Sequence, residues 1–262
     1  MACQELALPA LILRNPTVAP QGIVHVYVPR EPTVAFSARD LRSPGIGDAV
    51  SVARERGFRP VVRSPGGRMI AYDSGAVVID RVTRTAGLEV PGRQTFACTA
   101  LANVSVLQRL GVADVRVGKV DGEYCPGEFS VNVAGAVKVV GSAQRIVSGG
   151  ALLSTVVQVD LTDEVRSTID AVSAALGYNL RVSSIGGLRQ FVPALSPEAV
   201  AEAFVQDCRS RHEMPNGQLP EELVEHALTA RLDPQSQGPF HVDDWVRATS
   251  LPGLRPRFWT RD

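Results

Sequence analysis

Residues 129–141 constrain the fold of this chain more than any other stretch. Two apolar runs, 129–133 and 137–141, flank a short Ala134-Gly135-Ala136 connection. Such a pattern specifies neighbouring antiparallel strands. One residue interrupts it: Lys138 is a cation among Val137, Val139 and Val140. If the connection is a three-residue loop, Lys138 falls opposite Asn132 and shares a polar face with Ser130. A two-residue turn sets it opposite a valine instead. The alternation favours the first register, and with it a lysine lining a cleft.

Further strands are expected at 23–28, 58–63, 69–79 and 151–160, each apolar and bounded by turn residues. Ser43-Pro44 predicts an N-cap and first helical residue, with Ile46, Ala49, Val50 and Ala53 facing inward and Gly57 as the stop. Residues 94–110 carry helical spacing at Phe96, Leu101, Val104 and Leu110. Thr162 caps a helix whose Val165, Ile169, Val172 and Leu176 recur at helical intervals before Gly177. Ser196-Pro197 starts a last helix running to about Arg211. Antiparallel hairpins interspersed with helices define an α+β fold rather than a doubly wound sheet. This domain is expected to span 1–213. From Met214 the composition shifts towards Pro, Gly, Gln and Asp, so 214–262 reads as a small appendage with one helix at 221–232.

Apolar residues make up 45% of the chain, enough for a full core. Lysine plus arginine balances aspartate plus glutamate at 27 each, which argues against general nucleic-acid binding. Cys3, Cys98, Cys125 and Cys208 lie far apart without a C-x-x-C pair, so neither a metal site nor a disulfide framework is expected. The first residues lack a basic region and the apolar run 6–13 contains Pro9, a poor signal peptide. No apolar stretch is long enough to span a bilayer. A cytoplasmic protein with reduced thiols and no membrane partner is the expectation.

An isolated cysteine is ordinarily a small buried hydrophobe, and Cys98, inside a helical pattern, reads that way. Cys125 differs, because Pro126-Gly127 follows it. The residue before proline is held extended, and glycine frees the next turn. That displays a side chain at a strand's lip. A thiol and an amine are the minimum kit for acyl transfer through a thioester. In a straight hairpin, however, Cys125 lies about 20 Å from the position facing Lys138. The two meet only if Pro126-Gly127 folds the chain back as a mobile loop.

A third element is Arg63-Ser64-Pro65-Gly66-Gly67-Arg68, where paired glycines let backbone N–H groups approach a carbonyl or phosphate. Asp73 and Gly75 follow the next strand. The histidines offer no catalytic spacing: His25 lies in an expected core strand, and His212, His226 and His241 fall in or near the tail.

Together these segments resemble the biotin/lipoate protein ligase superfamily. Arg63-x-x-Gly66-Gly67, followed by Ala71-Tyr72-Asp73-x-Gly75, is similar to its Arg-x-x-Gly-Gly loop and trailing Asp-x-Gly. Residues Lys138 to Arg145, with Gly141, Ser142 and Ala143, are similar to its lysine-bearing strand. The resemblance covers roughly residues 23–210 and implies the superfamily's catalytic fold, with mixed and antiparallel sheets surrounded by helices. Within it, Tyr124-Cys125-Pro126-Gly127-Glu128-Phe129-Ser130 looks most like the cysteine-dependent octanoyl amidotransferases. These move an octanoyl group from the glycine cleavage H protein to lipoyl domains of 2-oxoacid dehydrogenase acyltransferase subunits.

The resemblance implies Cys125 as nucleophile, with Lys138 helping to deprotonate the thiol and stabilise an anionic acyl oxygen. Arg63, Gly66, Gly67, Asp73, Gly141, Ser142 and Ala143 would form the acyl site. No cofactor is needed, and acyl carrier protein is an alternative donor. Two departures stand out: Val137 replaces a basic residue common before Lys138, and Tyr72 replaces a histidine. An ATP- and Mg-dependent lipoate-protein ligase, which would not need Cys125, is the enzymatic alternative. A silent relative that only binds lipoyl domains is the other.

Overall fold

All nine residues of the strand Gly150–Gln158 (β9) are buried, which places this strand at the centre of the molecule. The computed structural model describes residues 2–17, 19–84, 92–212 and 240–241. Around β9 lie Ile23–Tyr27 (β1), Ala76–Arg84 (β5), Val115–Val117 (β6), Val131–Val133 (β7) and Val137–Val147 (β8). They form a six-stranded sheet in the order β1-β5-β9-β8-β7-β6. Every neighbouring pair in it is antiparallel. A second sheet joins Thr33–Phe36 (β2), Arg59–Val62 (β3), Ile70–Tyr72 (β4) and Phe240–His241 (β10) in the order β10-β3-β2-β4. There β2 and β3 run parallel while β4 and β10 are antiparallel to their neighbours.

Both faces of the large sheet are covered, which is why β5 and β9 read as nearly continuous apolar runs. On one face Val78 and Val156 pack with the small sheet and with helices Ile46–Glu55 (α2) and Asp163–Ala175 (α4). On the other, Val77, Ile79, Val140 and Val157 pack with helices Gly92–Arg109 (α3) and Pro197–His212 (α5). The mixed and antiparallel sheets with surrounding helices are the α+β architecture the sequence predicts.

Local signals hold where the cap chemistry is simple. Thr162 Oγ1 accepts from Val165 N at 3.2 Å, and Ser196 Oγ accepts from Ala199 N at 3.2 Å, so both helices start where expected. Several expectations need correction. The helix after Ser43-Pro44 begins at Ile46 with Gly45 at its cap; the Ser43 hydroxyl accepts from Gly45 N and donates to Leu176 O, so it caps no N–H within the helix. The strand expected at 69–79 is two strands in different sheets. The break is Asp73, whose Oδ1 accepts from Gly75 N at 2.8 Å. A Cβ on Gly75 would lie 2.1 Å from Asp160 O, so only glycine allows that crossing.

The strand expected to end at 141 continues to Val147, with residues 140–147 paired to β9. Residues 2–14, not expected as structure, form a helix, Ala2–Arg14 (α1), despite Pro9. Its Leu8, Ile12 and Leu13 pack on Val82 and Leu152, and that burial offsets the backbone bond proline removes. Cys98 lies on α3 as expected but is exposed, not structural. The expected helix at 221–232 lies outside the described residues. Within the expected appendage, Phe240–His241 pair with β3 and so belong to the small sheet. No helix among the described residues is long and apolar enough to cross a membrane.

Candidate functional site

The hairpin adopts the three-residue loop. Val133 pairs with Val137 and Asn132 with Lys138. Ala134 and Gly135 both take left-handed backbone angles, φ 57° and 71°, which suits a tight hairpin turn. Asn132 holds that turn, accepting from Gly135 N at 2.8 Å and donating to Gly118 O at 3.0 Å. Between Val131 and Asn132 the register slips, so Val131 pairs with Val140. The bulge sits next to Lys138, where a strand is commonly re-aimed at a functional site.

Lys138 is not at a solvated strand position; it is 3% exposed. Its Nζ lies 3.0 Å from Glu123 Oε2 and donates to Cys125 O at 2.6 Å, with the Tyr124 ring centroid 4.8 Å away. Three consecutive residues thus surround the ammonium with a carboxylate, an aromatic face and a carbonyl. Burial, then the neighbouring Cys125 and Glu123, pushes the Tyr124 phenol well above its usual range, so it stays protonated. The chain after Cys125 does fold back at Pro126-Gly127. Gly127 N donates to Glu123 Oε1 at 3.0 Å and Ser130 Oγ to Glu123 Oε2 at 2.8 Å, closing the 123–130 segment on one carboxylate.

The glycine loop meets Cys125 from the other side. Arg68 N donates to Cys125 Sγ at 3.3 Å. Gly67 has φ 92°, and a Cβ there would come within 3.3 Å of the sulfur, so glycine is what lets the loop approach it. Arg63 is buried behind the loop. Its Nη2 donates to Gly66 O at 2.7 Å and Arg68 O at 2.8 Å. Ser37 Oγ donates to Gly67 O at 2.7 Å. The Arg68 guanidinium lies 4.4 Å over the Tyr178 ring, whose hydroxyl donates to Asp40 Oδ1 at 2.6 Å. Gly66 N reaches Gln144 O on β8 at 3.4 Å. The Sγ donor is therefore braced from several elements.

A cleft of about 760 Å³ opens between this loop, the 125–130 segment and β8. Cys125, Lys138, Gly66, Gly67, Ser142 and Ala143 line it. Phe96 and Phe129, stacked at 6.1 Å, and Ile146 add apolar wall. Arg63, Asp73 and Gly141 are not in the lining. Arg63 shapes the loop, and Asp73 makes the β4–β5 turn. Gly141 leaves room for the lysine stem, since a Cβ there would meet Lys138 Cε at 3.2 Å. The sequence reading missed Glu123, Ser37 and Tyr178, and it marked Arg68 only as a charge flanking the glycine loop, not as the backbone donor to Cys125. Nothing marks Glu123 in sequence except its place two residues before Cys125.

This geometry can hold an acyl chain against a half-buried thiol that accepts from a backbone N–H, beside a cation fixed on the cysteine's own carbonyl. No family model matches the chain. Its fold is that of the lipoate-protein ligases. A lipoate-protein ligase A bound with ATP superposes with a TM-score of 0.67 at 18% identity, covering 87% of this chain and 88% of that one. A structure from the archaeal lipoylation system of Thermoplasma acidophilum, a bi-partite lipoate protein ligase and its E2 lipoyl domain, gives 0.65 at 16%, covering 100% and 94%.

In sequence the chain is similar to octanoyl-[GcvH]:protein N-octanoyltransferases. The protein of that name from Geobacillus kaustophilus is 33% identical over 129 residues, 49% of this chain and 44% of the relative. That from Exiguobacterium sibiricum is 28% identical over 211 residues, 74% and 71% respectively. The chain thus matches less than half the length of the first relative.

Proposed function

We propose that the chain is an acyltransferase of protein lipoylation, moving an octanoyl or lipoyl group onto a lipoyl-domain lysine through a Cys125 thioester. The observation that carries this reading is the meeting of Cys125, Lys138 and the Gly67-Arg68 backbone at one cleft. The similarity to octanoyltransferases that act on GcvH supports the substrate class, and with it the glycine cleavage H protein as donor. The lipoyl domain paired with the Thermoplasma ligase supports lipoyl-domain proteins, including 2-oxoacid dehydrogenase acyltransferase subunits, as acceptors. Acyl carrier protein is the other donor to test. We place the reaction in the cytoplasm, with neither ATP nor a metal.

In the first half-reaction the Cys125 sulfur attacks the acyl carbonyl of the donor amide. An S–C bond forms, the C–N bond breaks, and the thiol proton ends on the departing lysine amine. In the second, an acceptor lysine amine attacks the thioester. The C–N bond forms, the C–S bond breaks, and the amine's proton restores the thiol. Lys138 acts as a cation, since its ammonium is paired with Glu123. Two of an ammonium's three N–H donors face Glu123 and Cys125 O, and the third serves the developing oxyanion. The Arg68 N–H steadies negative charge on sulfur. An amide is a poor electrophile, so orientation beside these groups supplies much of the rate.

The test is intact-mass spectrometry after mixing the protein with octanoylated H protein or octanoyl-acyl carrier protein, without ATP. A hydroxylamine-labile octanoyl adduct, absent in Cys125→Ala, is the expected result. Absence of an adduct from both donors overturns the reading. Ligation of lipoate with ATP by the Cys125→Ala variant would then point to a ligase, and binding of lipoyl domains without turnover to a silent relative.

A further inference from the structure

Resting on that reading, we infer that Glu123 is the positioning residue that sets the nucleophile and the cation relative to each other. Its carboxylate is fully buried, 0% exposed, and among the described residues it meets Gly127 N, Ser130 Oγ and Lys138 Nζ, all donors of the site itself. Oε1 accepts from Gly127 N, which closes the turn after Cys125. Oε2 accepts from Ser130 Oγ and pairs with Lys138 Nζ at 3.0 Å. One anion therefore anchors the turn after Cys125, at Gly127 and Ser130, and the ammonium that holds the Cys125 carbonyl. The burial of a carboxylate is costly unless it is paired and hydrogen-bonded. Here the requirement is met only when the Cys125 turn and Lys138 are both in place, so the carboxylate links the two.

Glu123 does not line the cleft. Its action passes through Lys138 and the Cys125 carbonyl. Glutamine has the same shape but a different donor pattern. The carboxylate receives hydrogen bonds from a backbone N–H, a hydroxyl and an ammonium, whereas an amide offers one acceptor oxygen and turns an NH2 towards a donor. Glu123→Gln therefore displaces Lys138 without emptying the space. Glu123→Asp keeps the charge and loses only reach.

The test uses the whole 262-residue chain as wild type, Glu123→Gln, Lys138→Met, the double variant and Glu123→Asp. Alkylation of Cys125 by iodoacetamide is followed by peptide mass, which separates it from the other cysteines and needs no acyl donor. Glu123→Gln and Lys138→Met should each slow alkylation about tenfold, and the double variant should be no slower than Lys138→Met alone. Glu123→Asp should recover part of the rate. Losses that multiply to about a hundredfold in the double variant, or a wild-type rate in Glu123→Gln, overturn the inference.

Thermal melting gives a second readout, because Lys138→Met strands a buried charge that the double variant removes. The double variant should melt above Lys138→Met, and the reverse order counts against the coupling. Should Lys138→Met fail to fold, equal alkylation of Glu123→Gln and the double variant supports the inference, and a slower double variant overturns it. Failure of the wild type to load an acyl group would condemn the transferase reading and leave this alkylation cycle unaffected.

Discussion

Lys138 Nζ lies 2.6 Å from the carbonyl oxygen of Cys125, thirteen residues away across a hairpin. The lysine grips the backbone of the nucleophile and not a substrate, so the cation and the thiol are held as one unit before any acyl group arrives. Preorganisation of this kind lets charge develop in the transition state without moving the protein.

Gly67→Ala tests the close approach of the loop. The φ of 92° is unfavourable for an L-residue, and the new Cβ meets the sulfur at 3.3 Å and Arg63 Nη2 at 3.1 Å. A stability loss of about 1–2 kcal/mol is expected from the backbone alone. Alkylation of Cys125 and acyl loading should both slow as Arg68 N moves off the sulfur. Unchanged melting temperature and alkylation rate would remove the loop's role.

Lys138→Met should destabilise by roughly 3–5 kcal/mol, because Glu123 is left as an uncompensated buried charge. Urea unfolding of the two proteins measures this directly. A change within about 0.5 kcal/mol, the range of ordinary surface substitutions, would show that the pair is not a buried ion pair in solution.

Asp80 makes stability depend on pH. It is buried on β5, and burial, opposed by the Ser154 hydroxyl and Arg63, raises its pKa from 3.8 to about 7. Between pH 4 and 7 the folded chain keeps a proton that the unfolded chain has released. Stability from this group is therefore present at pH 4, falls as pH rises towards 7, and is flat above. The full loss is on the order of 4 kcal/mol. Melting at pH 5 and pH 8 should show the drop, and Asp80→Asn should flatten it. An unchanged slope in the variant would assign the effect elsewhere.

Chain length tests the apolar wall. If the octanoyl chain lies along Phe96, Phe129 and Ile146, shortening it to butanoyl removes four methylenes from burial. At about 0.8 kcal/mol each, that is roughly 3 kcal/mol, or about a hundredfold in kcat/KM. Phe129→Ala should compress this discrimination. Equal rates for both acyl groups would place the chain outside the cleft.

Local patterning favours the three-residue hairpin register and specifies the caps at Thr162 and Ser196; it marks a displayed thiol and a strand lysine, but not that the two meet. Each follows from local chemistry: a three-residue loop fixes which residue faces Asn132, and a hydroxyl three residues before a free N–H caps a helix. Resemblance to lipoate ligases added the fold. Local chemistry leaves open which groups meet in space. Arg63 and Asp73 sit in apparent motif positions, yet one props the loop and the other makes a turn, because hydrogen-bond partners came from residues adjacent in space. Glu123 has no periodic or motif signal; its burial beside Lys138 exists only once the chain folds back at Pro126-Gly127. A carboxylate's role depends on which donors surround it and how little water reaches it, and both are properties of the packed chain.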